Sequence, residues 1–398
     1  MTENTKEYVL KDKKKLRCGY TTGTCAALAA KAAALFLATG LWPEEVQILT
    51  PAGSIIKAHP EECRALNKAA ECAVRKDAGD DYDVTNGILI FSRVEFTQTG
   101  DPDILIDGGE GVGRVTRAGL DQPIGAAAIN SVPRRMIREA VMEALEEYEI
   151  MVSGRINVTI FAPEGKKAAE KTFNPKLGIT GGISILGTSG IVEPMSEEAL
   201  IETIHVHIRV LRAEGRREIV AVPGNMGAGY LTGYLGEPCS IPFVICSNFI
   251  GKTIDLAGEE GADGILIAGH IGKLVKLGNG IMNTHSREGD GRMDTLVSCA
   301  LTAGADINEL KRLQRSNTTE EALCILKEAG LFHAVMDILS ERIMGHIRHR
   351  ALDRLKTGVM LFDASGALLC MGGDARDILD KAGNEDQFTT IKRSEDEI

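Results

Sequence analysis

Two short stretches carry side chains whose types and spacing can do chemistry. Gly269-His270-Ile271-Gly272-Lys273 sets an imidazole and an ammonium among glycines. Asn283-Thr284-His285-Ser286-Arg287 lines up five hydrogen-bonding side chains, with Asp290, Arg292 and Asp294 close behind. Histidine titrates near neutrality, so His270 and His285 read as proton acceptors or as anchors for a ligand. A structural histidine and a solvated polar loop are the plainer alternatives. Gly224-Asn225-Met226-Gly227-Ala228-Gly229 is spaced G-x-x-G-x-G. The dinucleotide fingerprint is G-x-G-x-x-G, so the stretch disfavours NAD and admits an adenosyl ligand such as S-adenosylmethionine. A tight structural turn would explain it equally well. Gly251-Lys252-Thr253 ends like a P-loop, but Cys246 stands where that motif needs its first glycine. A nucleotide-dependent phosphotransferase is therefore the weaker enzyme reading. His205/His207 and His346/His349 are pairs without a third ligand, so no metal site is assigned.

The first half offers anion-binding groups. Tyr20-Thr21-Thr22-Gly23-Thr24 precedes an apolar run. The hydroxyls of Thr21, Thr22 and Thr24, with the free N–H groups of a helix start, form an anion site. Simple capping would need only one of them. Asp77, Asp80, Asp81 and Asp83 place four carboxylates in seven residues, without EF-hand spacing. Arg114 and Arg117 follow a glycine-rich loop, and Arg134 and Arg135 start the next helix. Arginine pairs bidentately with carboxylate, so this half suits a polycarboxylate; solvent-exposed arginines are the alternative.

These groups need elements to position them. Residues 24–39 read as a small-residue helix with Thr24 as N-cap and Gly40 beyond its end. Residues 46–49 and 54–58 read as a hairpin, and 87–97, 103–106 and 155–161 as strands. Residues 131–147 are amphipathic, with Met136, Ile137, Ala140, Val141, Ala144 and Leu145 on one face. From about residue 196 the rhythm changes. A helix over 196–213 is followed by strands at 218–222, 243–246 and 264–268, each leading through a loop into a helix. That alternation argues a parallel, doubly wound sheet. The fold expected is thus α+β followed by α/β in two domains. A mixed domain, 1–190, precedes a Rossmann-like parallel-sheet domain, 191–398. Helices dominate to about Leu355, strands return at 358–362 and 367–371, and the tail Lys392–Ile398 frays.

Composition bounds the function. A net charge of −11 argues against a nonspecific nucleic-acid binder. A basic stretch, Lys11–Arg17, ahead of Cys25–Ala38 mimics a signal peptide, but Lys31 interrupts the apolar run, so a buried helix is expected and no membrane span. The nine cysteines, Cys239 among them, form no C-x-x-C and read as small hydrophobes in a reducing cytoplasm. Glycine is the oddity: 44 of 398 residues, where ordinary usage gives roughly 28. Most fall in 79–125, 178–191 and 215–291, as loops around sites would.

Several strings together resemble the cobalt-precorrin-5B C(1)-methyltransferase family. They are Tyr20-Thr-Thr-Gly-Thr-Cys-Ala26, Asp77-Ala-Gly-Asp-Asp81, Gly109-Glu-Gly-Val-Gly-Arg-Val-Thr116 and Leu177-Gly-Ile-Thr-Gly-Gly-Ile-Ser-Ile-Leu-Gly-Thr188. Pro223-Gly-Asn225, Gly269-His-Ile-Gly-Lys-Leu-Val-Lys276 and Met282-Asn-Thr-His-Ser-Arg287 complete the set, running in order from about residue 17 to 370. The resemblance implies methyl transfer from S-adenosylmethionine to C1 of cobalt-precorrin-5B, giving cobalt-precorrin-6A in anaerobic cobalamin biosynthesis. Cobalt then enters only within the substrate. On this resemblance Gly224, Asn225, Gly227, Gly269 and Gly272 are expected to hold the methyl donor. Thr21, Thr22, Thr24, Asp80, Arg114, Arg117, Arg134, Lys273 and Arg287 are expected to hold the corrinoid. His270 or His285 would remove a proton or orient the ring. A non-catalytic corrinoid carrier is the binding-module alternative, and the oligomeric state, a homodimer included, stays open. Two positions depart from the family pattern. Tyr82 stands where proline is expected, and Gly125-Ala-Ala-Ala-Ile-Asn130 replaces Gly-Glu-Pro-Ala-Ile-Asn.

Overall fold

The structure is a computed structural model and describes residues 7–11, 13–97, 99, 103–152, 154–236, 241–352 and 354–383. Cys239 and the tail Lys392–Ile398 lie outside the described residues. The chain forms two compact units, Met1–Glu197 and Glu198–Ile398. The break falls after the one expected at 190 because Ile191–Val192 pairs antiparallel with Gly19–Tyr20, which ties that stretch to the first unit.

Unit 1 opens with an antiparallel hairpin, β1 (Tyr8–Lys11) and β2 (Lys14–Arg17), where the sequence showed only a basic run. The short β3 (Gly19–Tyr20) leads into α1 (Thr22–Thr39). Thr21, not Thr24, caps α1: its Oγ1 accepts the Thr24 N–H at 3.2 Å. Gly40 ends it in the left-handed conformation (φ 75°) that a side chain disfavours. By length and composition α1 could cross a membrane. Residues Thr22 through Ala34 are all buried, so it is the core helix of this unit. The hairpin β4 (Val46–Leu49) and β5 (Ile55–Ala58) forms as the turn at Pro51-Ala52-Gly53 requires. Then come β6 (Glu61–Leu66), β7 (Ala69–Arg75), β8 (Leu89–Phe96), β9 (Ile104–Gly108), β10 (Arg114–Val115), α2 (Ser131–Glu146) and β11 (Ile156–Phe161). Short α3 (Gly165–Ala169), α4 (Asn174–Leu177), β12 (Ile179–Thr180) and β13 (Ile191–Val192) close the unit. Its sheet has the order β6-β7-β8-β11-β9, antiparallel except for β9 with β11. All six apolar positions of α2 are buried with α1 against this sheet. The alanines of α1 let the helix approach both neighbours closely, because Ala adds volume only at Cβ.

Unit 2 holds all but the first residue of α5 (Glu197–Ala213). The rest is β14 (Glu218–Val222), α6 (Asn225–Leu235), β15 (Val244–Ile245), α7 (Ile250–Glu259), β16 (Gly264–His270), α8 (Ile271–Leu274), a 3₁₀ turn over Val275–Asn279, α9 (Arg292–Thr302), α10 (Ile307–Arg315), α11 (Thr319–Glu328), α12 (Phe332–Ala351), β17 (Lys356–Phe362) and β18 (Leu368–Gly373). The sheet order is β15-β14-β16-β17-β18, with β15 through β17 parallel and β18 antiparallel at the edge. Alternate residues enter two cores. Ile219, Ala221, Ile265 and Ile267 pack on one face, Val220, Val222, Leu266 and Ala268 on the other. Both faces are covered, which explains why β14 reads as a continuous apolar run. The chain leaves β14 toward β15 and then crosses back to β16 on β14's other side. Such a reversal opens a crevice at the strands' carboxyl ends.

Candidate active site

Three segments meet at that reversal, two of them singled out in the sequence. Pro223 and Gly224 follow β14, Ser247 and Asn248 follow β15, His270 ends β16, and Lys273 lies in α8. The Lys273 ammonium donates to Pro223 O at 3.4 Å and to Asn248 Oδ1 at 3.2 Å, so one cation bridges three strand ends. Among the described residues no carboxylate pairs with it. Burial lowers its pKa below the ordinary lysine value, neighbouring Lys276 pushes the same way, and Cys246 opposes them. A half-buried ammonium met only by neutral oxygens is poised for an anion.

His270 is the N-cap of α8. Its Nδ1 accepts the Gly272 N–H at 3.1 Å, which places the proton of the neutral ring on Nε2. Nε2 is buried without a hydrogen-bond partner; Glu320 Oε1 is 2.9 Å away but off the line a hydrogen bond needs. The ring also faces Tyr230 at 6.0 Å between centroids, and the Tyr230 hydroxyl donates to Ala364 O at 3.3 Å. The lone pair on Nδ1 is therefore occupied, and the ring presents a donor rather than an acceptor. That geometry suits an orienting role better than proton removal.

The glycines expected to hold the donor do different work. Gly224 adopts φ 94°, ψ −178°, a conformation closed to side chains, and starts α6 without a side-chain cap. Asn225 and Gly227 lie inside α6 rather than in a loop. A Cβ on Gly269 would come within 2.7 Å of Pro223, and one on Gly272 within 2.8 Å of the His270 ring. Glycine here lets β14 and β16 close on each other and lets His270 cap its helix. Ser247 sits at φ 53° without being glycine, a strained position of the kind found at ligand sites.

The polar run after the 3₁₀ turn is tethered to the same site. Lys276 is only 5% exposed, and its ammonium donates to Thr284 O at 3.2 Å and Gly289 O at 2.8 Å. Thr284 Oγ1 is buried without a partner. His285 and Arg287 are exposed on this loop, where His285 Nδ1 accepts the Arg287 N–H. Gly251 and Thr253, by contrast, are inside α7. The Thr253 hydroxyl is buried and donates to Phe249 O at 2.8 Å, and a Cβ on Gly251 would meet Met282 at 2.7 Å. This segment forms no phosphate loop, so the P-loop likeness is corrected: its Lys-Thr pair belongs to a packed helix.

In unit 1 the expected ligand groups are engaged within the fold. Thr22 Oγ1 donates to Ser184 O and accepts the Leu186 N–H, while Thr24 Oγ1 donates to Gly190 O at 2.7 Å. Asp80 accepts the Arg17 N–H at 2.7 Å, and Asp77 takes the Arg17 guanidinium with two hydrogen bonds. Asp83 pairs with the buried Lys76 ammonium at 2.9 Å. Burial would raise the Asp83 pKa, but Lys76 and Thr85 outweigh it and hold the carboxyl below its ordinary value. Arg134 donates to Ile106 O and Ile129 O, and burial lowers its pKa. Arg117 donates to Lys176 O. Arg114 chelates Asp107 while its side chain stays 42% exposed. Tyr82 is almost fully exposed, and Ala126 serves through its carbonyl, which accepts the Val115 N–H.

Sequence reasoning missed Asn248, Tyr230 and Glu320, and did not weigh Lys276 separately. Asn248 was within reach, since residues just past a parallel strand fall at the carboxyl edge. Lys276 follows Lys273 by one helical turn. Tyr230 and Glu320 arrive from distant segments and leave no local signal.

Known proteins extend this picture. The CbiD family model matches residues 9–194, and the model of the CbiD C-terminal domain matches 283–373. A protein of Ruminiclostridium cellulolyticum named cobalt-precorrin-5B C(1)-methyltransferase is 46% identical over 356 residues, 89% of this chain and 91% of its own. One of the same name from Alkaliphilus metalliredigens is 42% identical over 387 residues, 96% and 99% of the two chains. The crystal structure of a cobalamin biosynthesis protein from Archaeoglobus fulgidus is 29% identical, covering 71% of this chain and 86% of that one, at a TM-score of 0.38. With relatives this similar along nearly its whole length, the chain belongs to the CbiD family of cobalt-precorrin-5B C(1)-methyltransferases.

Proposed function

We propose that this protein methylates C1 of cobalt-precorrin-5B, with S-adenosylmethionine as donor, and that the donor binds at the carboxyl ends of β14, β15 and β16 in a Rossmann-like unit 2. The observation that carries the site is Lys273: a half-buried ammonium at the chain reversal, satisfied only by neutral oxygens. It would take the donor's methionine carboxylate, aided by the uncapped N–H groups that start α6. The orphaned His270 Nε2 would donate to a ligand oxygen and hold its orientation. When bound, S-adenosylmethionine supplies an electrophilic methyl group on a sulfonium. The chain's own contribution is alignment and exclusion of water, which is where in-line displacement gains most. We assign corrinoid contacts within unit 2 to the exposed His285–Arg287 loop. Cobalt arrives within the substrate.

Anaerobic incubation with cobalt-precorrin-5B and methyl-labelled S-adenosylmethionine tests the reading. Label should enter the corrinoid at C1. A protein that binds the pigment and transfers no label would instead be a carrier.

A further inference from the structure

A separate feature lies at the edge of the unit 1 sheet. Strand β6 is its outer strand, and the pairing of β6 with β7 slips between Glu61 and Arg64. Glu62 takes φ 53°, so Glu62 and Cys63 together oppose Cys72, as in a β-bulge. The bulge turns Cys63 toward Cys72 and brings the two sulfurs to 2.9 Å. Both thiols are free. Closing to a bond of about 2.05 Å asks for less than an ångström of movement.

We propose that Cys63 and Cys72 form a reversible redox modification site that a small-molecule disulfide oxidises to a cross-strand bond. Cys63 is partly exposed and Cys72 is buried, which orders the steps. Cys63 loses its proton and its sulfur attacks one sulfur of the small disulfide. The small S–S bond breaks, and the departing thiolate takes up a proton as the first small thiol. Cys72 then loses its proton and attacks Cys63 Sγ, breaking the mixed bond and releasing the second small thiol. Two protein thiols are oxidised and one small disulfide is reduced to two thiols. Burial pushes the Cys72 thiol up, so the second step quickens as pH rises. Glu62, the second residue of β6, takes its left-handed conformation at the bulge, and the bulge places the two sulfurs face to face.

The full chain, treated with glutathione disulfide, alkylated and digested with trypsin, gives the answer. Cleavage after Arg64 and Lys68 separates the two cysteines, so the bond appears as two peptides that travel together until reduced. We expect that linked pair, shielded from alkylation, while exposed Cys324 keeps a glutathione adduct. In Cys72→Ser the adduct should persist on Cys63. Wild-type protein that retains the Cys63 adduct as fully as Cys72→Ser, or that remains alkylated at both positions, would overturn the proposal. The wild-type measurement decides alone should the variant not fold.

Discussion

Thr22 in unit 1 donates to one backbone carbonyl and accepts from one backbone N–H, so its hydroxyl is complete within the fold. Lys273 in unit 2 reaches only a carbonyl and an amide oxygen, and the buried His270 Nε2 lies 2.9 Å from Glu320 Oε1 without forming a hydrogen bond. Both residues come from dense polar motifs, yet one motif builds architecture and the other leaves polar groups incomplete. Motif density in a sequence does not separate the two cases. Whether buried donors and charges have complementary partners does, because leaving one unmatched is unfavourable by about 1–3 kcal/mol and persists only for a reason.

The contrast can be broken by substitution. The largest effect is expected at Asp83→Asn, which leaves the Lys76 ammonium buried without its counter-charge and should destabilise unit 1 by about 3 kcal/mol. Chemical denaturation would read it; unchanged stability would remove the architectural role. Acid should act in the same direction on wild type. The Asp83 carboxyl titrates below its ordinary value in the folded state, so its stabilisation is present above that ordinary value. It is lost as pH falls through the folded pKa. Amide exchange in β7 and β8 should rise there.

Next is Lys273→Met. Loss of a charge-assisted contact of about 1.5–3 kcal/mol should weaken S-adenosylmethionine binding on the order of 10- to 100-fold by calorimetry, with stability held or raised. Equal affinity in the variant would move the donor elsewhere. The lowered pKa adds a second readout: wild-type affinity should decline at a pH below the ordinary lysine range, as the ammonium is lost.

Thr22→Val comes third. It should remove about 1–2 kcal/mol of stability while leaving donor affinity unchanged. The smallest effect is expected at His270→Asn. Asparagine also caps helices, so α8 should hold, and loss of the Nε2 donor should weaken donor binding by only about 2- to 10-fold, with labelled-methyl transfer persisting at saturating donor. Loss of turnover with donor binding intact would restore it as a proton-transfer group.

The elements were largely legible in the sequence. β14 spans 218–222 as its apolar run indicates, and the six buried positions of α2 follow from their spacing. Where the reading slipped, local signals competed. Three threonines in four residues hid which one caps α1, and only the Thr21–Thr24 contact decides it. The glycines of 224–229 looked like a loop, yet Gly227 is helical because α6 packs close to β16; a Cβ there would lie 3.4 Å from Ala268 O. β6 was overlooked because its exposed, charged face carries little apolar alternation. The site was legible as stretches but not as an assembly. Nothing local tells that Lys273 reaches both Pro223 and Asn248, or that Glu320 lies beside His270.

The Lys276 tether has a kinetic meaning. By holding Thr284 O and Gly289 O, its ammonium fixes the backbone that carries His285 and Arg287 before any ligand arrives. On the proposed assignment of that loop to the corrinoid, association then needs no ordering of its backbone. Its rate should follow diffusion and charge rather than a slow conformational step, and the entropy lost on binding should come mainly from side-chain rotamers.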